Sequence, residues 1–530
     1  MTSATDQVYL DHAATTPVAP SVRARMLACL DEAGNWANPA SRHAAGQAAS
    51  AQIETARRQV ADLVGATADA VIWTSGATES INLALLGVMR FAMQRGRGHH
   101  LITTAIEHSA TLAACRQLVR EGAELTVLAV DNGGRLDADA VIDALRPETV
   151  MVSLMLVNNE TGVCLPVADI AERLRSTAVV LHVDAAQAAA FESIDVRCGI
   201  DLLSLSAHKF YGPKGVGALV IRRQPRLRLQ PLCFGGGQEQ GERPGTLPVH
   251  QLVGMGEAAR MARRRRARDR ARLSALRTRF VDALQRIGAV HVNGVEPVAP
   301  HLVNLSVIGV HGEALADRLA WLAYSAGSAC HAADASPSPV LRAMGLPDGL
   351  ALASLRLSLG RGSRWRVLQT VVERLATAID AERRRCVLWA AYCDGVASDA
   401  LYQWRAADLQ RWWSSSGGRA PGEQPRSVVG WLQGAAGSVE QGTLIGCRVG
   451  LDEQGAIAAL DWQCYCRTET HETCSWLATR LIGQRPGDVE LGAARDWCTL
   501  RGMRAERLDA LLVLEDAVLA ALAQAVEPIR

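Results

Sequence analysis

The chain has 530 residues, 56 basic against 54 acidic side chains, and a formal net charge of +2. Such a length exceeds one ordinary domain, and so even a charge balance gives no broad footprint for direct nucleic-acid binding. Hydrophobic residues make up 49% of it, yet no charge-free apolar run is long enough to cross a bilayer, so a membrane protein is not expected.

The opening stretch MTSATDQVYLDHAATTP has no basic region followed by an apolar one. A secretory leader is therefore not expected, and the cytoplasm is the expected location. In a long chain without an export signal, 13 cysteines do not make a disulfide framework. Six lie in 1–385 and seven in 386–530, which raises the question of metal or sulfur chemistry in the tail.

In chain order, 18–33 and 47–64 read as helices, separated by the loop NWANPASRHAAG. A strand at 70–74, the turn SGATES and a helix at about 79–94 follow. Strands are expected in 99–108, 123–130, 150–157, 178–183 and 201–205, and helices at 109–121, 137–146 and 167–176. Continuous apolar strands alternating with helices predict a mostly parallel sheet covered on both faces, with its site at the carboxyl ends of the strands. GALVI at 217–221 adds one more strand.

A long helix at about 249–287 then leads to a smaller α+β unit. That unit has strands near 302–307 and 353–360, helices at 312–322 and 365–384, and a loop at 325–339. The long helix contains RMARRRRARDRAR (260–272), which reads either as a solvated face or as a patch for an acidic partner. Composition shifts near 386–400. Residues 398–530 hold seven of the twelve tryptophans and 13 arginines against 17 acidic residues. The expected architecture is α/β throughout 1–385, with a large domain over about 17–260 and a small one over about 261–385 plus the N-terminal segment. A separate α+β extension follows at 398–530.

Lys209 and Lys214 are the only lysines in the chain. Arginine replaces lysine readily on a solvated surface, but its guanidinium stays protonated and forms no Schiff base. A lysine kept in so arginine-biased a chain suggests lysine-specific chemistry, and Lys209, just past a strand end, is the better placed of the two. Lys214, followed by glycine, reads as a loop residue.

Asp184 ends an apolar strand, where a carboxylate can pair with a pyridinium nitrogen or cap a helix. Gln187 lies three residues on. The backbone and Thr78 hydroxyl of the SGATES turn can bind a phosphate or cap the helix. His108 can stack on a flat ring and move a proton, or serve as a hydrogen-bonded cap. Cys330 stands among Gly, Ser and Ala, which suits an exposed thiol better than a core one. Arg356 alternates with apolar neighbours on a strand and calls for an anionic partner such as a substrate carboxylate.

These segments closely resemble the cysteine desulfurases of the NifS/IscS type, class-V aminotransferase relatives that share the fold-type I transferase architecture. The matching motifs are YLDHAATTP (9–17), NPASRH (38–43), TSGATESIN (74–82), EH (107–108), NNETG (158–162), HVDAAQ (182–187), SAHKFYGPKGVGAL (206–219), GGGQEQGERPGTLP (235–248), GSAC (327–330) and LRLSLGR (355–361).

The resemblance implies pyridoxal 5'-phosphate (PLP) as cofactor and L-cysteine as substrate. It places the cofactor on Lys209, which also moves the proton. His108 lies on the ring, Asp184 at the ring nitrogen and Gln187 at the ring oxygen. Ala77, Thr78, Ser206 and His208 hold the phosphate, and Thr246 reaches the phosphate of a neighbouring subunit, which implies a homodimer. Asn159 and Arg356 hold the amino-acid end of the substrate. Cys330 takes the sulfur as a persulfide, leaving alanine, and the GSAC form belongs with the long-loop group that delivers sulfur directly to partners. His331, next in sequence, has no assigned role. A selenocysteine lyase or cysteine sulfinate desulfinase shares most of these residues, and a non-catalytic sulfur-relay scaffold is the more distant alternative.

Within the tail, GCRVGLDEQGAIAALDWQCYC, the helix SWLATRLIGQRPGDV and LLVLEDAVLAALAQAV resemble the U-type iron–sulfur scaffold proteins. Such scaffolds use three cysteines. Cys464 or Cys466 falls near the middle position, while the others fall near Gly437–Ser438 and Ala510. The expectation is a domain that receives sulfur or docks an iron–sulfur scaffold or another acceptor. Cys464, Cys466, Cys474 and Cys498, with His471, are candidate metal ligands without a permanent metal being expected. The bland alternative is that these cysteines are core residues.

Overall fold

The structure is a computed structural model that describes residues 7–32, 34–326, 336–415 and 428–525. A seven-stranded sheet forms the centre of the larger, N-terminal part of the chain. Its order is Val71–Thr74, Gly217–Ile221, Leu202–Ser206, Val180–Asp184, Thr149–Met155, His100–Thr104, Glu124–Leu128. Six strands run one way and Gly217–Ile221 runs against both of its neighbours. Its central strands are buried along their whole length, which is why they read as unbroken apolar runs.

Helices cover both faces. His43 caps the Ala44–Val64 helix by accepting from Gly46 N, and Gly65 ends it at φ 71°, a left-handed value suited to glycine. This helix meets Val249–Gln285 at backbone distance, since a Cβ on Gly256 would come within 2.5 Å of Ala56 Cα. The predicted helix at 18–33 is shorter than expected, Pro20–Leu27, with the proline supplying its first turn.

The 37-residue Val249–Gln285 helix carries the arginine run, and most of that run is taken up internally. Arg263 pairs with Asp62, Arg265 with Asp269 and Arg270 with Glu192, while Arg266 and Arg272 donate to main-chain carbonyls. The solvated-face reading therefore fits better than a binding patch.

The small domain holds an antiparallel sheet ordered Ser325–Ala326, Ser354–Ser358, Leu302–Val307, Val290–Asn293. The N-terminal segment joins it: Val8–Tyr9 pairs with Leu322–Ala323, and Ser358 N donates to Leu10 O. Residues 11–16 are thereby drawn across the carboxyl ends of the large sheet. The stretch expected to be a loop at 325–339 contains the Ser325–Ala326 strand and leads into a short helix, Pro339–Ala343, capped by Ser338.

The tail forms an antiparallel three-stranded meander, Gly430–Ser438, Thr443–Leu451 and Ile457–Tyr465, packed by Thr468–Leu481, Ala494–Leu500 and Leu508–Ala523. Gly434 lets the last helix lie directly on the sheet, because a Cβ there would meet Ala517 O at 2.2 Å.

Near 386–400 the chain does not loosen into a linker. Cys386, Val387 and Leu388 are buried with Leu350 of the small domain and Tyr402, Val439, Leu444 and Tyr465 of the tail. Arg467 and Arg507 both pair with Glu313, and Gly309 N donates to Tyr402 Oη. Among the described residues no helix is long and apolar enough to cross a membrane.

Candidate active site

A cavity of about 490 Å³ opens between the carboxyl ends of the central strands and the small domain. Ala77, Thr78, His108, Asn159, Asp184, Gln187, Ser206, His208, Lys209 and Arg356 all line it, so residues spread over 280 positions of sequence meet in one space. Lys214 stands at its rim, exposed. Thr246 is exposed and does not line the cavity of its own chain. Cys330 and His331 lie outside the described residues.

Lys209 Nζ donates to Ala13 O at 2.6 Å and to Ala14 O at 2.9 Å. The N-terminal segment thus supplies carbonyls that aim the amine into the cavity. Gln187 Nε2 donates to the same Ala13 O at 2.9 Å, and its Oε1 lies 3.4 Å from His301 Nε2. His208 Nδ1 is 3.2 Å from Thr15 Oγ1, and burial with the neighbouring lysines pushes its pKa down to about 4.

Asp184 is buried and accepts from Ala186 N at 2.9 Å. Burial raises its pKa, while His108 and Lys209 oppose that shift. His108 Nδ1 accepts from Ala110 N at 3.1 Å and caps the Ser109–Arg120 helix. His108 thus serves as a helix cap and also lines the cavity. Burial lowers its pKa, with Asp184 opposing and Lys209 and Arg356 assisting, so the ring is neutral and can accept that hydrogen bond.

Arg356 is buried and spans the seam between the two domains. Its Nη1 donates to Asn159 O at 3.0 Å, and its Nη2 to Ser325 Oγ at 2.5 Å and Asp11 Oδ1 at 3.1 Å. Arg356 Nε and Asn159 Oδ1 are buried without a partner. A guanidinium and a side-chain amide that line one cavity suit the carboxylate and amine of a small zwitterion. Sequence reasoning missed Asp11, Ser325, His301 and the Ala13 and Ala14 carbonyls. Asp11 alone carried a signal, as the acid of YLDHAATTP.

The helix start at Ala77 is fitted tightly to the sheet. A Cβ on Gly217 would lie 2.6 Å from Gly76 Cα, so two glycines let the turn sit on the strand. Glu79 accepts from Ser75 N at 2.6 Å and pairs with Arg243, tying the GGGQEQGERPGTLP segment to this turn.

In the tail, Cys464 and Cys474 are brought together with their sulfurs 4.0 Å apart, and Cys466 adjoins Cys464. Cys498 lies apart and donates to the Met503 and Arg504 carbonyls. All four are buried in the apolar core of the tail, and burial raises the pKa of Cys474. Cys466 is pushed up by its hydrogen bond to Cys464 and by burial, and Cys464 is raised too, its bond to Cys466 opposing while its contact with Cys474 and burial raise it. His471 Nδ1 is engaged by Arg385 Nη2 at 2.9 Å. Among the described residues no group of three or more His, Cys, Asp or Glu side chains could hold a metal ion. The core reading of these cysteines fits this geometry.

The family model described as aminotransferase class-V matches residues 8–365. Cysteine desulfurase IscS of Proteus mirabilis is 46% identical over 397 residues, which are 74% of this chain and 98% of that protein. A solved structure described as a NifS-like protein superposes with a TM-score of 0.66 at 30% identity, covering 71% of this chain and all of that one. The structure of DndA from Streptomyces lividans does so with a TM-score of 0.56 at 41% identity, covering 66% of this chain and 99% of its own. Taken with a cavity that gathers the lysine, the strand-end aspartate and the arginine, these matches place the chain in the class-V aminotransferase family, among its cysteine desulfurases of the NifS/IscS type.

Proposed function

We propose that residues 7–385 remove sulfur from L-cysteine with the site residues in the roles that follow, and that the tail docks the sulfur acceptor. The observation that carries this reading is the convergence of Lys209, Asp184, Asn159 and Arg356 on one cavity. When bound, PLP supplies an aldehyde carbon for an amine and a ring that stabilises negative charge at the substrate's α carbon. The residues present fit that group. Lys209 is the amine for the aldehyde, and the buried Asp184 carboxylate suits a protonated ring nitrogen.

Ala77, Thr78, Ser206 and His208 surround the place of the phosphate, where the first backbone N–H groups of the Ala77–Gln94 helix favour an anion. The exposed Thr246 is available to a second copy of the chain, which supports a homodimer. Gln187, its amide fixed by Ala13 and His301, would offer an N–H to the cofactor's ring oxygen, and His108 would hold the ring. Arg356 orients the substrate carboxylate and Asn159 its amine end. Lys209 moves the α proton.

Cys330 then attacks the substrate sulfur as thiolate. An S–S bond forms, the substrate's C–S bond breaks with its electron pair kept on carbon, and alanine leaves after protonation.

For 398–530 the docking role is supported by its shared core and ion pairs with the small domain, and by buried thiols unsuited to metal. The chain is further read as a cytoplasmic enzyme.

The test is sulfur transfer by the full chain and by Cys330→Ser. Wild type is expected to gain the mass of one sulfur on the Cys330 peptide and to release alanine. The serine variant is expected to bind cofactor and form no persulfide, since its hydroxyl is a far weaker nucleophile. A sulfur adduct confined to tail cysteines would overturn the assignment. Faster turnover with L-selenocysteine or cysteine sulfinate than with L-cysteine would redirect it.

A further inference from the structure

Glu107 precedes His108 in the turn after the His100–Thr104 strand and does not line the cavity. It is buried, with 3% of its surface exposed. Its two oxygens are treated differently. Oε1 accepts from Thr104 Oγ1 at 2.8 Å and from Met155 N at 2.9 Å, whereas Oε2 is buried with no partner. An ionised carboxylate spreads its charge over both oxygens, and a charged oxygen stranded in an apolar interior costs far more than a neutral hydroxyl. An unpartnered buried Oε2 is better accommodated in a neutral carboxyl, with Oε1 accepting both bonds, than in a carboxylate.

The titratable groups facing it are themselves acids. Asp184 approaches from the Val180–Asp184 strand and Cys115 from the Ser109–Arg120 helix, while His108 is its chain neighbour. A second negative charge here would push Asp184 towards its protonated form. That would remove the anion opposite the cofactor's ring nitrogen.

We propose that Glu107 is a positioning residue held as a neutral acid, which fastens the His108 turn to the Thr149–Met155 strand and leaves the local negative charge to Asp184. This inference rests on the role given to Asp184 above. Burial raises the Glu107 carboxyl to about 8, so its ionisation falls at mildly alkaline pH. Glutamine reproduces the neutral acid at every pH, and alanine removes both hydrogen bonds.

The experiment follows the visible absorbance of the bound cofactor and the turnover of L-cysteine against pH in wild type, Glu107→Gln, Glu107→Ala and Asp184→Asn holoenzymes. Glu107→Gln is expected to match wild type within a few-fold at neutral pH and to keep its neutral spectrum on the alkaline side, where the wild-type spectrum changes. Glu107→Ala is expected to retain less cofactor. Superimposable pH dependence in wild type and Glu107→Gln would overturn the proposal. So would a glutamine variant that is as damaged as the alanine variant or does not fold, because the amide preserves the shape and neutrality argued for. An unchanged cofactor spectrum in Asp184→Asn would instead reject the role of Asp184, whatever the Glu107 variants do.

Discussion

Lys209 reaches 2.6 Å to the carbonyl oxygen of Ala13, so the cavity-lining amine of the large domain is held by a segment that pairs into the small one. The N-terminal residues are therefore part of the site rather than a lead-in to it. The Ala13 and Ala14 carbonyls hold that amine beside the cavity.

Replacing Lys209 by alanine is expected to abolish the cofactor's visible absorbance and to lower alanine production by at least about 10³-fold, the upper part of the range for a lost proton-transfer group. Lys214, exposed at the rim, is not expected to take over. Absorption spectra and single-turnover alanine assays check both points.

Arg356→Lys keeps the charge and loses the fork. Hydrogen bonds to charged groups contribute about 1.5–3 kcal/mol, so KM for L-cysteine is expected to rise by roughly 10- to 100-fold with a smaller change in kcat. Asp11→Asn removes the anion that balances this guanidinium and is expected to raise KM less. Steady-state kinetics separates the two parameters.

Glu107 also leaves a mark on stability. Its carboxyl is raised in the folded state, to about 8, against an ordinary value near 4.5. The folded chain therefore binds more protons than the unfolded one between those values. The stabilising contribution is fully present below about pH 4.5 and is lost as pH rises through about 8, with a slope of at most about 1.4 kcal/mol per pH unit. Urea unfolding of wild type and Glu107→Gln should show a steeper decline of stability in wild type between about pH 4.5 and about 8, levelling off above it.

Much of the catalytic half was legible because its signals are local. A strand end followed by a polar residue gave Asp184 and Lys209 their positions, and continuous apolar runs gave the parallel sheet. The direction of Gly217–Ile221 was not legible, since alternation and burial look the same in a strand run either way. Asp11 and Ser325 could not be found from spacing. They act only after strands 314 residues apart in sequence pair into one sheet edge. In the tail, cysteines at 464, 466 and 474 left ligand and core readings open by spacing alone, and their elements bury them together in an apolar core where a thiol packs as a small side chain.

Tyr465 is 1% exposed in the core that the tail shares with the small domain. Tyr465→Ala is expected to cost about 3–5 kcal/mol, as large-to-small core changes of aromatic residues do. Denaturation followed both by tryptophan fluorescence and by visible circular dichroism of the cofactor should show the two signals shifting together.

The core joining Leu350, Val387, Tyr402 and Tyr465 runs unbroken through 386–400, so the small domain and the tail are expected to unfold together. The family match ends at residue 365, but the small domain's packing continues through the helices beyond it into the tail. Ancestry and folding thus divide the molecule at different places. A hydrogen-exchange map would draw its boundary through the large domain's junction with the small one rather than at 386–400. The tail would belong to the same foldon as Leu350, and its opening would carry the same free energy as opening of the small domain.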